Sequence, residues 1–176
     1  MKTPKEIFDI LKNEFDNAII AIDKDIPTEQ IISVDPLQIN IIGKFLRDDK
    51  ELMFDSLMCL SGVDDANGTK QKEEDGSEII IGGTLSVYYH LHSVQLGHKI
   101  TLRVSTPRED AKVESVENVW KCADWHEREA FDLLGITFLN HHDLRRILMP
   151  YDWEAGHPLR KDYKNPEFYQ GMKVAY

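Results

Sequence analysis

The residues best suited to chemistry lie in one segment of the chain, Trp125–Tyr163. His126 and Glu127 begin like a zinc-protease motif, in which two histidines one helical turn apart bind zinc and the glutamate acts as base. That motif needs a histidine at position 130, where Ala130 stands. Glu127 and Glu129 are two residues apart, so their carboxyl groups point apart on a helix. A small hydrolase that uses His126 with Glu127 or Glu129 is therefore only a distant alternative.

The sequence contains no motif for a metal, nucleotide or covalent cofactor. His141 and His142 have no cysteine or carboxylate at ligand spacing, and Cys59 and Cys122 lack a CxxC or CxxH context. Both cysteines stand among apolar residues, which predicts buried free thiols in a reducing compartment. Neither a Gly-rich phosphate loop nor a GxSxG elbow is present. We expect no catalytic residue, bound metal or cofactor in this chain.

Basic residues in the second half of the segment are suited to docking. Arg145 and Arg146 are adjacent, and Trp153, Arg160 and Lys161 follow in a stretch restrained by prolines. Arginine forms bidentate pairs with carboxylates and tolerates burial, so such an arm can dock on an acidic surface. That surface belongs either to a partner protein or to this same chain, and the sequence leaves both open.

The first half of the segment predicts a helix with many charges. Trp125, Glu129 and Asp132 are expected on one face, and Arg128 is expected to pair with Asp132 at i, i+4. Together with Glu127, these charged residues predict a dense charged surface. Such a surface is usually a solvated helix face, but Trp and Arg beside it are typical of interface hot spots.

The elements that position this segment predict an α+β fold, in which helices cover a mostly antiparallel sheet and an extended irregular C-terminal arm follows. Residues 1–122 are expected to form an α+β core domain. Residues 123–176 are expected to add a signature helix and a docking arm within the same folding unit. The predicted helices are 4–16, 36–49 and 113–134, the last broken near Ala123 and capped by Gly135. The predicted strands are 18–22, 30–34, part of 52–63, 84–92, 100–105 and 136–139, with a solvated loop at 64–78.

Composition and charge favour a globular protein of one domain that neither crosses a membrane nor binds nucleic acid. A chain of 176 residues with 41% hydrophobic residues fits one globular domain, and no apolar run is long enough to cross a membrane. The charged N-terminus lacks the apolar core of a signal peptide, so we expect the protein to stay on the side of the membrane where it is made. The net charge of −10 argues against nucleic acid as a partner. This acidic excess lies in residues 1–136, while the tail is about neutral.

The segment resembles the family of the 30 kDa subunit of respiratory complex I, which is the C-type subunit of NADH-quinone oxidoreductase. The first 110 residues resemble the family only in length and in the order of their elements. There are small departures: His142 stands where proline is expected, the turn at 154–156 is one residue longer, and Lys164 replaces a proline. The matching residues are Glu127-Arg128-Glu129, Asp132-Leu133-Leu134-Gly135-Ile136, Phe138, Asp143-Leu144-Arg145-Arg146-Ile147-Leu148, Pro150, Trp153 and Gly156-His157-Pro158-Leu159-Arg160-Lys161-Asp162-Tyr163.

The resemblance implies a cofactor-free subunit in the peripheral arm of a proton-translocating complex, at the cytoplasmic face of the cell membrane. It would dock against the D-type subunit, which helps to form the quinone site, near subunits B and I. The whole complex would use iron–sulfur clusters, quinone and NADH. The alternative is the homologous subunit of a ferredoxin-dependent complex or a membrane-bound hydrogenase. The expected interface residues are Trp125, Glu127, Arg128, Glu129, Asp132, His142, Arg145, Arg146, Trp153, Arg160 and Lys161.

Overall fold

The computed structural model describes residues 1–23, 30–72 and 78–174. The helices are α1 (Pro4–Phe15), α2 (Ile39–Asp48) and α3 (Ala123–Leu134), with short 3-10 turns at Asp16–Ala18 and Arg108–Asp110. The strands are β1 (Ile19–Asp23), β2 (Ile31–Val34), β3 (Ser56–Asp64), β4 (Thr69–Lys72), β5 (Glu78–Ile81), β6 (Thr84–His92), β7 (Lys99–Pro107), β8 (Lys112–Glu114), β9 (Thr137–Leu139), β10 (Phe168–Tyr169) and β11 (Met172–Lys173).

Five of the strands form the central sheet, in the order β1-β2-β7-β6-β3. All neighbouring pairs are antiparallel except β2 and β7, which run parallel. Separate two-stranded ladders join β4 to β5, β8 to β9 and β10 to β11. The prediction of an α+β fold with a mostly antiparallel sheet is confirmed.

Alternating apolar residues form the centre of this sheet, because every second side chain of a strand points to the same face. Leu85, Val87, Tyr89 and Leu91 of β6 are all buried, and Tyr89 lies opposite Leu102 of β7. The two strands predicted at 84–92 and 100–105 are therefore present, and they pair as a hairpin. The buried residues of this hairpin belong to the same apolar cluster as residues of the three helices.

Helix α1 begins as the sequence predicts. Thr3 is its N-cap, Pro4 occupies the first turn, and Glu6 completes a capping box with Thr3. Its residues Ile7 and Leu11 are fully buried in the core. The helix is therefore fixed to the sheet by its apolar face.

The predicted helix over 113–122 is wrong. Val113 lies in β8, which pairs in parallel with β9 so that Val113 lies opposite Phe138. Turns follow, and Trp120 is buried with its indole N–H donating to the carbonyl of Phe54 at 2.9 Å. Long-range pairing overrides the local helical pattern here, so the helix begins only at Ala123.

Other boundaries also differ from the prediction. Helix α2 begins at Ile39, after a turn, and part of the predicted loop 64–78 forms β4. Residues 73–77 of that loop lie outside the described residues. Cys122 is exposed and Cys59 half-buried, both as free thiols, so the prediction of two buried thiols is wrong.

Residues 140–174, the C-terminal segment, consist mostly of turns and end in the β10–β11 hairpin. They fold back against α3 and the end of β3 through hydrogen bonds and ion pairs. Among the described helices, none has the length and apolar character needed to cross a membrane.

Candidate functional site

Helix α3 is the element on which the candidate site is built. It ends at Gly135, whose φ of 76° places it in the left-handed conformation that closes helices and that glycine adopts without strain. Gly62 of β3 allows the helix to approach the sheet closely. A Cβ added there would lie 2.6 Å from Leu134 Cδ1 and 3.1 Å from Ala130 Cβ. The site is therefore held rigidly against the sheet.

Asp132, in the last turn of α3, holds the C-terminal segment in place. Its Oδ2 accepts hydrogen bonds from the backbone N–H groups of Ile147, Leu148 and Met149 at 3.0, 2.8 and 2.9 Å. Its Oδ1 accepts one from Arg146 at 2.7 Å. Burial alone would raise the pKa of Asp132, but these hydrogen bonds lower it below its ordinary value. The carboxylate is thus an internal anchor for residues 146–149.

The expected pair of Arg128 with Asp132 is wrong, because Asp132 is already occupied by the segment that folds over it. The buried Arg128 lies with one guanidinium nitrogen 4.0 Å from Asp124 Oδ1. Its guanidinium stacks on the ring of Trp125, 5.0 Å from the ring centroid. Its Nε donates to the carbonyl of Arg145 at 3.4 Å. Arg128 therefore links the helix to the chain around Arg145.

The expected charged face of α3 is also divided. Trp125 and Glu129 are exposed, while Asp132, predicted on the same face, is fully buried. Glu127 and Arg128 are buried as well. Helical spacing places the residues correctly, but the C-terminal segment covers the last turn. The prediction of one dense charged surface is therefore wrong.

Glu127 lies in a closed pocket and does not face solvent. Its Oε2 accepts a hydrogen bond from the Ser115 hydroxyl at 2.6 Å, and its Oε1 accepts one from the backbone N–H of Val116 at 2.7 Å. Burial raises the pKa of Glu127 to about 8, although the two hydrogen bonds act in the opposite direction. With both oxygens engaged and enclosed, Glu127 has no access to a substrate. The hydrolase alternative has no support in this geometry.

His141 and His142 do meet a carboxylate, which the sequence spacing concealed. Their ligand atoms and that of Glu117 lie within 4.8 Å of one another. The two rings are stacked, however, with 10° between their planes, so their in-plane lone pairs do not converge on one ion. His141 Nδ1 also accepts from the N–H of Asp143 at 3.1 Å, which leaves the proton on Nε2, facing Asp124. These groups form a hydrogen-bond network.

A second anchor joins the C-terminal segment to the end of β3. The buried Arg108 donates to Asp64 with one guanidinium nitrogen and to Asp162 with another. Asp64 also accepts from the backbone N–H of Lys161 at 2.8 Å. Removal of this buried arginine would leave both carboxylates without their cation, which makes the cluster costly to break.

Arg160 is half-buried between the two anchors. Its Nε donates to the carbonyl of Leu134 at 2.8 Å, and the N–H of Leu159 donates to the carbonyl of Leu133 at 3.0 Å. These bonds satisfy carbonyls at the end of α3 that no helical partner can reach. The predicted residue Arg160 therefore serves the chain's own fold.

Trp153 is held by the terminal hairpin. Its ring lies 5.4 Å from that of Tyr169, whose hydroxyl donates to Asp152 at 2.8 Å. Trp153 is consequently half-buried. The residue that packs against its ring, Tyr169, lies later in the chain and not on α3.

The structure divides the predicted site residues into two groups. Trp125, Glu129, His142, Arg145 and Lys161 are exposed. The side chains of the others are buried or half-buried against residues of the same chain: Glu127, Arg128, Asp132, Arg146, Trp153 and Arg160. The sequence analysis missed Asp64, Arg108 and Ser115, which are single polar residues at element ends with no local pattern to reveal them. Asp162 was named there only as part of the resemblance, without its bond to Arg108.

Comparisons with known proteins identify the family. Residues 32–169 match the family described as respiratory-chain NADH dehydrogenase, 30 Kd subunit. The C-type subunit of NADH-quinone oxidoreductase from Chloroherpeton thalassium is 41% identical over 170 residues, which cover 95% of this chain and 63% of that protein. The protein of the same name from Chlorobium phaeobacteroides is 41% identical over 172 residues, covering 96% of this chain and 93% of that protein.

A solved structure has the same fold. It is described as the trypsin-resistant fragment (1-134) of Nqo5, with a TM-score of 0.57 and 22% identity, and the match covers 78% of this chain and 98% of that chain. At this identity the likeness shows the fold alone. The family and sequence matches, taken with this fold, show that the chain belongs to the 30 kDa subunit family of respiratory-chain NADH dehydrogenase, the family of complex I-type NADH-quinone oxidoreductases.

Proposed function

We propose that this chain is a peripheral-arm subunit of a proton-translocating NADH:quinone oxidoreductase, docked against the D-type subunit at the quinone site with subunits B and I nearby. In this proposal it has no active site or cofactor of its own. It supports assembly and electron transfer to quinone, while neighbouring subunits hold the iron–sulfur clusters, NADH and quinone. The complex lies in the membrane, with this subunit on its cytoplasmic face. Family membership supports the proposal.

We further propose that residues 1–122 and 123–176 act as one folding unit, with the second part supplying the docking surface. Ala130 and Leu134 of α3 belong to the same buried cluster as the sheet residues, which supports this arrangement. The Asp132 anchor then presents the C-terminal segment in a fixed shape. A surface that is ordered before binding loses less conformational entropy when the partner arrives.

The observation that carries the proposal is the surface formed by Trp125 and Arg145 around the buried Arg128, which we term the α3 surface. Trp125 is 63% exposed although it lies on a rigid helix and stacks on Arg128. Arg128 in turn contacts the backbone of Arg145, whose side chain is 69% exposed. Exposed Trp beside Arg is characteristic of interface hot spots.

The two neighbouring arginines provide a matched test of docking. The Arg145 side chain pairs with Asp143, itself 41% exposed, so Arg145→Ala should change the free energy of unfolding by less than about 1 kcal/mol. Because its guanidinium is available to a partner, Arg145→Ala should still lower the amount of chain in the assembled complex, and with it the quinone reductase activity of membranes. Native gels of membrane extracts measure the first quantity.

Arg146→Ala should behave differently, because Arg146 bonds to the buried Asp132. We expect a loss of about 2 kcal/mol in unfolding free energy, typical of a hydrogen bond to a charged group.

Two outcomes contradict different parts of the proposal. If the wild-type chain co-purifies with the complex and Arg145→Ala is incorporated equally well, the α3 surface is not the docking surface. If the wild-type chain is missing from purified quinone reductase, the function itself is refuted. An assay with NADH and with ferredoxin as donors then identifies the type of complex.

A further inference from the structure

Strand β3 is an edge strand of the central sheet and is open along most of its length. It is the last strand in the order, paired on one side with β6. Cys122 covers one end, where its thiol lies 3.5 Å from the carbonyl of Leu57. At the other end, Asp64 is bound by Arg108 and Lys161. Within the described ranges, the main chain between these ends, residues 58–63, bonds only to β6.

This edge has few of the features that usually prevent strand addition. Soluble proteins protect long edges with lysine, proline, bulges, inward-pointing charges or a covering segment. The sequence of β3 is SLMCLSGVD, with no lysine or proline, and its one charge, on the buried Asp64 at its end, is paired with Arg108. Its apolar residues Met58 and Val63 are 46% and 37% exposed. One bulge, near Met58, interrupts the pairing with β6.

A groove runs beside the open edge. It has a volume of about 280 Å³ and is bounded by β3 residues 59–62, by α3 and by Leu159. Leu133 and Leu134 supply apolar lining, and Glu129 adds a carboxylate. Such a groove fits one aliphatic side chain or the stem of a lysine or arginine, whose charged end can reach Glu129.

We propose that β3 receives an extended segment of a partner subunit as a sixth strand of the sheet. The segment places an aliphatic or long basic side chain in the groove and carries net positive charge. Strand addition satisfies the open N–H and C=O groups and takes its specificity from pockets for alternate side chains. This inference rests on the proposed function, since it takes the partner from the same complex.

Charge distinguishes a partner subunit from a second copy of this chain. Two copies would each bring a net charge of −10 and would place two Glu129 carboxylates near the shared edge. Repulsion of this kind opposes self-association, whereas a basic segment is attracted. The occupant is therefore a different, basic chain.

Hydrogen–deuterium exchange tests the added strand directly. The full chain is measured alone and within the complex purified from membranes. The amides of residues 58–63 that point away from β6 should exchange at least about tenfold more slowly in the complex, because strand pairing adds hydrogen bonds to them. The interior strand β6 is the internal control and should be protected in both samples. Equal exchange of 58–63 in the two samples overturns the proposal.

A pair of variants tests whether the edge contributes to assembly. Val63→Lys adds a positive charge to the edge, where it repels a basic strand, and should reduce incorporation into the complex about tenfold. Val94→Lys makes the same change at a 66% exposed position in the β6–β7 turn and should incorporate normally. Thermal unfolding of both variants shows that each is folded.

Other outcomes separate this inference from the proposed function. If Val63→Lys is folded and incorporates as well as Val94→Lys, the sixth strand is refuted while the subunit assignment stands. If the isolated chain sediments as a dimer that Val63→Lys converts to a monomer, the occupant is a second copy and the basic partner is refuted. Absence of the wild-type chain from the purified complex refutes the proposed function.

Discussion

At the residue scale, two buried carboxylates of α3 have opposite protonation behaviour because their surroundings differ. Asp132 meets three backbone N–H groups and Arg146, which favour the charged form. Glu127 meets the Ser115 hydroxyl and one backbone N–H, and burial dominates, so the neutral form is favoured. One helix thus carries an ionised anchor and a protonated acid within two turns.

Glu127 should make the protein less stable as pH rises. Its pKa in the folded state, about 8, exceeds the ordinary 4.5, so the folded state binds the extra proton between these values. Stability is therefore greatest at the acidic end of that window and falls by about 1.4 kcal/mol per pH unit as pH rises through it. Urea unfolding at a series of pH values measures this slope. Glu127→Gln should remove it.

The control for this prediction is Glu129→Gln, which changes an exposed carboxylate on the same helix. It should leave the slope unaltered, because the buried carboxyl of Glu127 and its hydrogen bonds to Ser115 and Val116 are retained. Glu117 and Asp124 also face the pocket and raise the pKa of Glu127 further, while His141 lies 3.8 Å away. A slope that survives in Glu127→Gln would assign the effect to those neighbours.

At the element scale, the end of α3 is closed by a contact from the C-terminal segment. Gly135 has a φ of 76°, and the His157 ring packs directly on it, with Cδ2 2.7 Å from the position a Cβ would take. His157 Nδ1 donates to the carbonyl of Asp132 at 3.1 Å. The glycine is therefore required both for its backbone conformation and for the space it leaves.

A comparison of Gly135→Ala with Gly97→Ala should separate the effect of the backbone conformation from the effect of the space that glycine leaves for His157. Gly97 has a φ of 71° with nothing within 4 Å of its added Cβ, so that variant carries only the left-handed strain of about 1 kcal/mol. Gly135→Ala has the same strain and must also displace His157, losing a hydrogen bond worth about 1 kcal/mol. Chemical denaturation of both variants measures the difference. Equal losses would mean that the His157 contact contributes nothing to stability.

The elements that could be predicted from sequence are those whose pattern is local. Strands β6 and β7 alternate strictly, and α1 carries its own capping box, so both are correctly predicted. Strand β8 could not be predicted, because its three residues pair with β9 across a long stretch of chain. The Arg108 anchor was missed for the same reason, because nothing near Arg108 in sequence indicates Asp64 or Asp162.

At the scale of the whole molecule, intramolecular contacts account for much of the segment that looked suited to a partner. The sequence left open whether the basic residues dock on this chain or on another. The structure divides them: Arg146 and Arg160 bond within the chain, while Arg145 and Lys161 keep exposed side chains. Two ionic anchors, at Asp132 and at Arg108, fasten the segment to the helix and to the sheet.

Arg108→Met should have two effects: it should release the C-terminal segment from the sheet, and it should lower the free energy of unfolding. It leaves Asp64 and Asp162 close to each other without their shared cation, which should cost about 3–5 kcal/mol in unfolding free energy. Repulsion between the carboxylates should then expose the backbone around Lys161, so that trypsin cleaves after that residue faster than in the wild type. Lys112→Met, which breaks an exposed pair with Asp110 and also removes one trypsin site, should change neither quantity. If Arg108→Met is destabilised but cleaved after Lys161 at the wild-type rate, the Asp132 anchor alone holds the segment in place.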